Sequence, residues 1–317
     1  MNRASPLVAI VGPTASGKSA LAVRLAAELG GEILACDSTQ VYRGFDIGTA
    51  KPPAGQRGGI PHHMIDIAEP DEVFHAGEYR RRALIVLADL AARAKLPVLT
   101  VGTGLYLRAL LDGLCDAPGR SEYLRMRLGR RTALSGPGYL RRLLERLDPV
   151  AAGRIAPRDT PKLVRAIEVR LLSGKPLSAL HRAGQEKLQG YRPVKIGLMP
   201  PRQALYASID RRVRAMLDAG WTREVKELMA SGVAEDGKPF QFIGYAELRD
   251  HLAGLAGFEE TVSRIQQATR RYAKRQITWF RREAGVRWLE GFGDDPGIAS
   301  SAREIVMAEL REAVSAG

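Results

Sequence analysis

The sequence predicts an α/β fold, a parallel β-sheet with helices on both faces, into which an all-helical basic domain is inserted. Three observations predict it. Short apolar runs of strand length alternate with helix-length stretches through the first hundred residues. A glycine-rich loop joins the first strand to the first helix. Strand character then vanishes from Ser121 to about Leu180 and returns at Val194.

The elements follow in order. Leu7–Val11 is a continuous apolar run and reads as a buried strand. Lys18–Leu29 is a helix closed by Gly30-Gly31, and Glu32–Cys36 a second strand ending at Asp37. A glycine- and proline-rich loop stretch occupies residues 44–59. His75–Ala94 carries Ala83, Leu84, Leu87, Leu90 and Ala91 at helical spacing. Pro97–Val101 is a third buried strand and Leu105–Leu111 a helix. After Gly113 come arginine-rich helical segments, broken at Gly136-Pro137-Gly138, Pro149, Pro157 and Pro161. Val194–Met199 is a strand, Arg202–Ala219, Trp221–Ala230 and Glu259–Glu283 are helices, Val286–Leu289 is a last strand, and Pro296–Gly317 ends in a helix. The core is thus expected in two pieces, residues 1–117 and 192–317, around a helical insertion at 118–191.

Composition narrows the class. The chain has 317 residues, 45% hydrophobic and 26% charged, typical of a globular protein. No apolar stretch reaches the roughly 18 residues of a membrane span. Met1–Pro6 leads into the first strand without a signal-peptide pattern. Cys36 and Cys115 form neither a metal spacing nor a disulfide framework, so a reducing, cytoplasmic setting is expected. No heptad seam marks a dimer interface, and a monomer is expected. The net charge of +13 favours a polyanionic partner. Its distribution adds to that: between Arg120 and Arg170 stand thirteen Arg or Lys against five Asp or Glu.

The chemistry concentrates at strand ends. Gly12-Pro13-Thr14-Ala15-Ser16-Gly17-Lys18-Ser19 matches the phosphate-loop pattern between a strand and a helix, which makes the sheet P-loop NTPase-like. Glycines let successive N–H groups point into one concavity, the helix adds its positive end, Lys18 adds a cation, and the Ser19 hydroxyl suits Mg2+. The loop implies a diphosphate or triphosphate without saying which. A phosphoryl-transfer enzyme pairs such a loop with an acidic residue at the end of a neighbouring strand. Here the third strand ends in Gly102-Thr103-Gly104. The carboxylate at a nearby strand end is Asp37, followed by Ser38, Thr39 and Gln40. These suit a general base and the reading of a nucleobase edge, or a helix cap or Mg2+ ligand. Thr103 either places a hydroxyl near a phosphate or merely forms a turn.

Together these motifs resemble the bacterial tRNA dimethylallyltransferase family, also called tRNA isopentenyl-diphosphate transferases. The resemblance runs from about residue 7 to 290 and rests on residues 12–19, Asp37–Gly44, Asp46–Pro52, Pro61–Asp66, Gly102–Tyr106, Asp148-Pro149, Arg165–Val169, Ile243–Tyr245 and Ala273–Phe280. It implies transfer of a dimethylallyl group from dimethylallyl diphosphate to the amine of the adenine 3′ to a tRNA anticodon, with Mg2+. The phosphate loop then grips a leaving diphosphate, Asp37 is the base, and Thr103 and an arginine of Ile209–Val213 support the reaction. That arginine aligns with Arg212, although Arg211 and Arg214 remain open by chemistry alone. The resemblance further implies tRNA contacts at Asp37, Ser38, Thr39, Gln40, Thr103 and Arg125, and across Pro161, Lys162, Leu163, Val164 and Arg165. It adds Gln241, Phe242, Ile243, Gly244, Tyr245 and Ala246, and on the following helix Arg270, Arg271, Lys274 and Arg275. Tyr272, Ile277, Trp279 and Phe280 are expected in the core. Val101 and Pro161-Lys162 depart from the family's usual residues. A kinase for small molecules, an isopentenyltransferase for free adenine nucleotides, and an RNA-binding protein switched by nucleotide are the alternatives.

Overall fold

Strand β1 (Ser5–Val11) lies at the centre of a six-stranded, wholly parallel sheet in the computed structural model, which describes residues 4–182, 186–234 and 237–315. The first three residues, residues 183–185 of the predicted insertion and the last two of the predicted tail helix therefore lie outside the described residues. Along the sheet the order is β3 (His62–His63), β2 (Gly31–Cys36), β4 (Leu96–Val101), β1, β5 (Tyr191–Leu198), β6 (Val286–Leu289). Val8, Ile10, Ile33, Val98 and Ile196 meet helices α1 (Lys18–Leu29) and α13 (Pro296–Ser315) in one apolar cluster. Strand alternation turns Leu7, Ala9, Leu34 and Leu99 to the other face, where they are also buried, and α2 (Ala76–Ala92) packs against β4 and α3 (Gly104–Leu111). Burial on both faces explains why these strands read as continuous apolar runs.

Two differences from the sequence reading have simple causes. Strand β3 escapes notice because it is two residues long and has no periodicity to detect. Its His63 Nε2 lies 2.7 Å from the buried carboxylate of Glu32. Helix α11 (Tyr245–Leu252), only 8 residues long, was not among the expected helices, and Tyr245 and Ala246 belong to its first turn. Between them in the chain, α9 (Arg202–Asp218) and α10 (Trp221–Ala230) form much as expected, as does α12 (Phe258–Phe280) beyond α11.

The chain divides into two compact units, Met1–Leu111 with Gln189–Gly317, and Asp112–Leu188. The second unit therefore starts earlier than residue 118 and ends before 191. Its regular elements among the described residues are all helices: α4 (Glu122–Ser135), α5 (Tyr139–Leu147), α6 (Pro149–Arg154), α7 (Thr160–Ser173) and α8 (Leu177–Arg182). Pro149 and Pro161 start α6 and α7 rather than break them, because a first-turn proline lacks only an N–H that has no helical partner. Leu128, Leu140, Leu144, Leu163 and Ile167 form its core.

A fully buried carboxylate organises this unit. Glu168 accepts two hydrogen bonds from Arg125, each 3.0 Å, one from the Ser121 N–H at 2.7 Å and one from Arg165 at 2.8 Å. Burial alone would raise its pKa, but the bonds from Arg125, Ser121 and Arg165 outweigh it and hold the carboxyl below its ordinary value. Its stabilisation is therefore complete above the ordinary carboxylate pKa and is lost as pH falls through the lower folded value. We expect Glu168→Ala to cost about 3 kcal/mol, the lower end for a broken buried ion pair, because the arginines left behind are 24% and 34% exposed. Denaturant melts at pH 7 and at pH 3 check this: the loss relative to wild type should shrink at the lower pH.

Candidate active site

The order β2, β4, β1 places three strand ends side by side at the carboxyl edge of the sheet: Asp37, Gly102-Thr103 and the loop that begins at Gly12. The phosphate loop turns into α1 through Gly17, whose φ of +83° and close neighbour Gly293 leave no space for a side chain. Ala15, at the loop's apex, also adopts a left-handed φ of +60°. For a residue with a Cβ that costs about 1–2 kcal/mol, so surrounding structure must hold it. Its carbonyl accepts a 3.1 Å bond from the Ser208 hydroxyl of α9, and its methyl group packs with Leu205, Ile209 and Ala273.

Lys18 folds back over the loop and donates to the Gly12 and Pro13 carbonyls at 3.0 and 2.7 Å. Burial, and then repulsion from Arg212, lower its pKa to about 7, while attraction to Asp37 partly restores it. Burial likewise lowers the Arg212 pKa, with Asp37 opposing. These couplings single out Arg212 from its neighbours on α9: Arg211 is exposed and Arg214 pairs with Glu259 at 3.0 Å. The Ser16 hydroxyl is buried and has no hydrogen-bond partner among the described residues. Ser19 is exposed in the first turn of α1.

Asp37 is held on one side. Its Oδ1 accepts from the N–H and hydroxyl of Thr39, at 2.8 and 2.7 Å. Its Oδ2 lies over Gly102, where a Cβ would come within 1.9 Å of it. Glycine is required there for close approach, whereas Val101 is a buried strand residue. The Thr103 hydroxyl accepts from the Ser38 N–H at 2.9 Å and contacts the Ser38 hydroxyl at 3.1 Å, so it braces the segment after Asp37. The Gln40 amide donates to the Thr49 and Ala50 carbonyls, each at 3.2 Å.

Two polar hubs, not anticipated from the sequence, frame this segment. The Lys51 ammonium, 4% exposed, bonds Asp46 at 2.7 Å, Asp66 at 2.5 Å and the Tyr42 carbonyl. Glu224 accepts from the Asp46 and Ile47 N–H groups at 3.0 and 2.7 Å and from the Tyr245 hydroxyl at 2.6 Å. The motifs Asp46–Pro52, Pro61–Asp66 and Ile243–Tyr245 are thus tied to one another. A lysine three residues after Gly48 and a glutamate on a separate helix carry no local pattern to announce this.

In the chain of 317 residues, the family model described as IPP transferase matches residues 40–283. The chain belongs to this family. It is 50% identical to a tRNA dimethylallyltransferase of Solibacter usitatus (strain Ellin6076) over 301 residues, 95% of this chain and 98% of that one. Identity is also 50% to that of Koribacter versatilis (strain Ellin345), covering 95% and 97%. The full-length tRNA isopentenylpyrophosphate transferase of Bacillus halodurans superposes with a TM-score of 0.73 at 37% identity, covering 98% of both chains. A eukaryotic dimethylallyltransferase described as acting on tRNA superposes with a TM-score of 0.80 at 26% identity, covering 96% of this chain and 79% of that one.

Within this IPP transferase, the remaining predicted residues fall into two groups. Exposed on α12 are Arg271, Lys274 and Arg275, the last over the Tyr272 ring. With Arg108, Thr278, Trp279 and Arg282 they line a groove of about 490 Å³. Trp279 is 38% exposed and stacks with Arg108, a correction to its expected place in the core. The helix presents its outer face at that position, and Phe280, one residue on, takes the core place. Gln241 is exposed, Phe242 and Ile243 are half-buried, and Lys162 is exposed beside Asp159, 2.6 Å away. Pro161 and Val164 stand in the first turns of α7. The other group is committed internally. Arg125 and Arg165 bind Glu168, and Arg270 binds Asp210 at 2.8 Å. Leu163 and Tyr245 are buried, so their side chains pack cores rather than face a ligand, and buried Gly244 caps α11.

With a pKa of about 7, the Lys18 amine is largely neutral at pH 8, and an anion bound in the loop would raise that pKa. Wild-type protein should therefore take up more protons on binding inorganic diphosphate at pH 8 than a variant without the amine. Calorimetry in buffers of different ionisation enthalpy measures the difference between wild type and Lys18→Met; equal proton uptake in the two would overturn the expectation.

Proposed function

We propose that this enzyme transfers a dimethylallyl group from dimethylallyl diphosphate to the N6 amine of the adenine 3′ to the anticodon, in tRNAs that read codons beginning with U. Diphosphate leaves. The observation that carries this reading is that Lys18, on the loop after β1, and Arg212, on α9, are both electrostatically coupled to Asp37 at the end of β2, while β4 between those strands brings no acidic residue. The names shared by the relatives supply donor and acceptor.

In this reaction the amine nitrogen bonds to C1 of the allyl group as the C1–oxygen bond breaks. Asp37 aligns the amine and takes its proton. An exocyclic amine is a weak nucleophile, so alignment contributes more than proton removal. Lys18, Arg212, the loop N–H groups and the Ser16 hydroxyl receive the charge that grows on the leaving group. Among the described residues, no three His, Cys, Asp or Glu side chains converge as a metal site. A lone serine hydroxyl beside a phosphate loop fits Mg2+, which is held largely by substrate phosphates and water. Ser19 would hold it, and it would neutralise charge on the departing diphosphate.

The acceptor is recognised as a base splayed out of a loop, read at its edges and stacked. Ser38, Thr39, Gln40 and the half-buried Phe242 and Ile243 serve that reading, and Arg271, Lys274 and Arg275 serve the phosphates. In the helical unit, Lys162 is a further phosphate contact, while Arg125 and Arg165 act by fixing Glu168. A free nucleotide acceptor would leave the basic face of α12 without a role. No helix among the described residues is long and apolar enough to cross a membrane. We place the enzyme in the cytoplasm, acting as a monomer.

Incubation with Mg2+, labelled dimethylallyl diphosphate and unmodified tRNA tests the reading. Label should enter the tRNA; label in free AMP alone, or ATP hydrolysis without alkylation, overturns it. Asp37→Ala should lower turnover by about 10²-fold or more while tRNA affinity stays within threefold. Lys274→Ala should weaken tRNA binding across sequences and reduce the slope of log affinity against log salt by about one.

A further inference from the structure

Gln276 lies on α12 but turns away from the basic face and is 6% exposed. Its Oε1 accepts a 2.8 Å hydrogen bond from the Thr14 N–H of the phosphate loop. Its Nε2 donates a 2.9 Å bond to the Gly102 carbonyl, which also accepts from the Tyr272 hydroxyl at 3.1 Å. One amide therefore spans the loop that would grip the diphosphate and the glycine against which the Asp37 carboxylate rests. Thr14 directly precedes Ala15, whose left-handed backbone is held from the other side by Ser208.

We propose that Gln276 is a positioning residue for alkyl transfer, fixing the separation between the phosphate loop and Asp37. The proposal rests on the reading of that loop as the diphosphate site. The chemistry of the side chain fits the task. Only a group with a donor and an acceptor on one rigid plane satisfies both backbone partners at once. Glutamate keeps the acceptor but presents a carboxylate oxygen to the Gly102 carbonyl, and methionine supplies neither bond. Because Gln276 binds two backbone groups and no exposed surface, it acts on the reaction rather than on RNA affinity. An error of about 1 Å in such a separation lowers rates by about a hundredfold.

The test uses the full chain as wild type, Gln276→Met and Gln276→Glu. It measures the affinity for inorganic diphosphate with Mg2+, the single-turnover rate of tRNA alkylation at saturation, tRNA affinity, and thermal melting. Gln276→Met should lower the single-turnover rate by about 10- to 100-fold and weaken diphosphate binding, with tRNA affinity within threefold of wild type. Rate and diphosphate affinity both within twofold of wild type would overturn the proposal. So would lost tRNA affinity with an unchanged saturated rate, which would make Gln276 an RNA contact. Should Gln276→Met melt below the assay temperature, Gln276→Glu, which keeps the volume and the Thr14 acceptor, decides by the same readouts. Failure of the wild type to bind diphosphate would instead remove the reading of the loop, and this proposal with it.

Discussion

The confinement of two cations, Lys18 and Arg212, beside one phosphate loop is the constraint on which the site depends. Burial depresses the pKa of each, and that of Lys18 is lowered further by the charge of Arg212. Like charges held this way cost free energy unless an anion joins them. The fold bears that cost by fixing each from a different direction. Lys18 rides on the loop after β1 and is tied to two carbonyls, while Arg212 arrives on α9, the helix that also holds the Ala15 carbonyl. Asp37 is the carboxylate coupled to both, and it sits at the end of another strand, where it offsets part of the repulsion.

Helix α12 gains its importance from having two faces. Arg271, Lys274 and Arg275 point outward, whereas Ala273, Gln276 and Phe280 point inward. The inward face closes the phosphate loop and reaches Gly102; the outward face presents charge. A similar economy governs the segment from Asp37 to Asp66. Its loops lack long secondary structure, and the buried Lys51 and the half-buried Glu224 replace it with polar hubs. Such hubs specify one loop conformation because every acceptor is matched by a donor in a definite place.

What was legible in the sequence follows from how local each signal is. The strands β1, β2 and β4 announced themselves because a sheet covered on both faces needs unbroken apolar runs. The phosphate loop and Asp37 were legible because their residues are contiguous and each directly follows an apolar strand. Strand β3, two residues long, has no such signature. Trp279 was misplaced because helical periodicity marks a face but cannot say that the neighbouring Phe280 alone fills the core. Arg125 and Arg165 read as free charge because Glu168 looks like any other surface acid until α4 and α7 pack. Gln276 lies 262 residues from Thr14, and nothing in either neighbourhood points to the other.

The same geometry explains why a phosphate loop can serve alkyl rather than phosphoryl transfer. In phosphoryl transfer the attacking group approaches the terminal phosphorus, so the acid that organises metal and nucleophile belongs at a strand end facing that phosphate. In alkyl transfer the bond that breaks lies between carbon and the first oxygen, and the whole diphosphate departs. Positive charge is then needed around the departing group and a carboxylate is needed beyond the carbon. The distribution here matches that demand: Lys18 and Arg212 gather at the loop, and the negative group shifts to the end of β2, past the Gly102–Gly104 turn. Glycine at 102 permits the carboxylate to lie against that turn, since any Cβ there would collide with Oδ2. A side chain at residue 102 would displace the Asp37 carboxylate, and an acid in place of Thr103 would set negative charge beside Ser38, which the threonine hydroxyl now braces. The Gly102-Thr103-Gly104 end of β4, which carries no acid, accords with the proposed alkyl transfer.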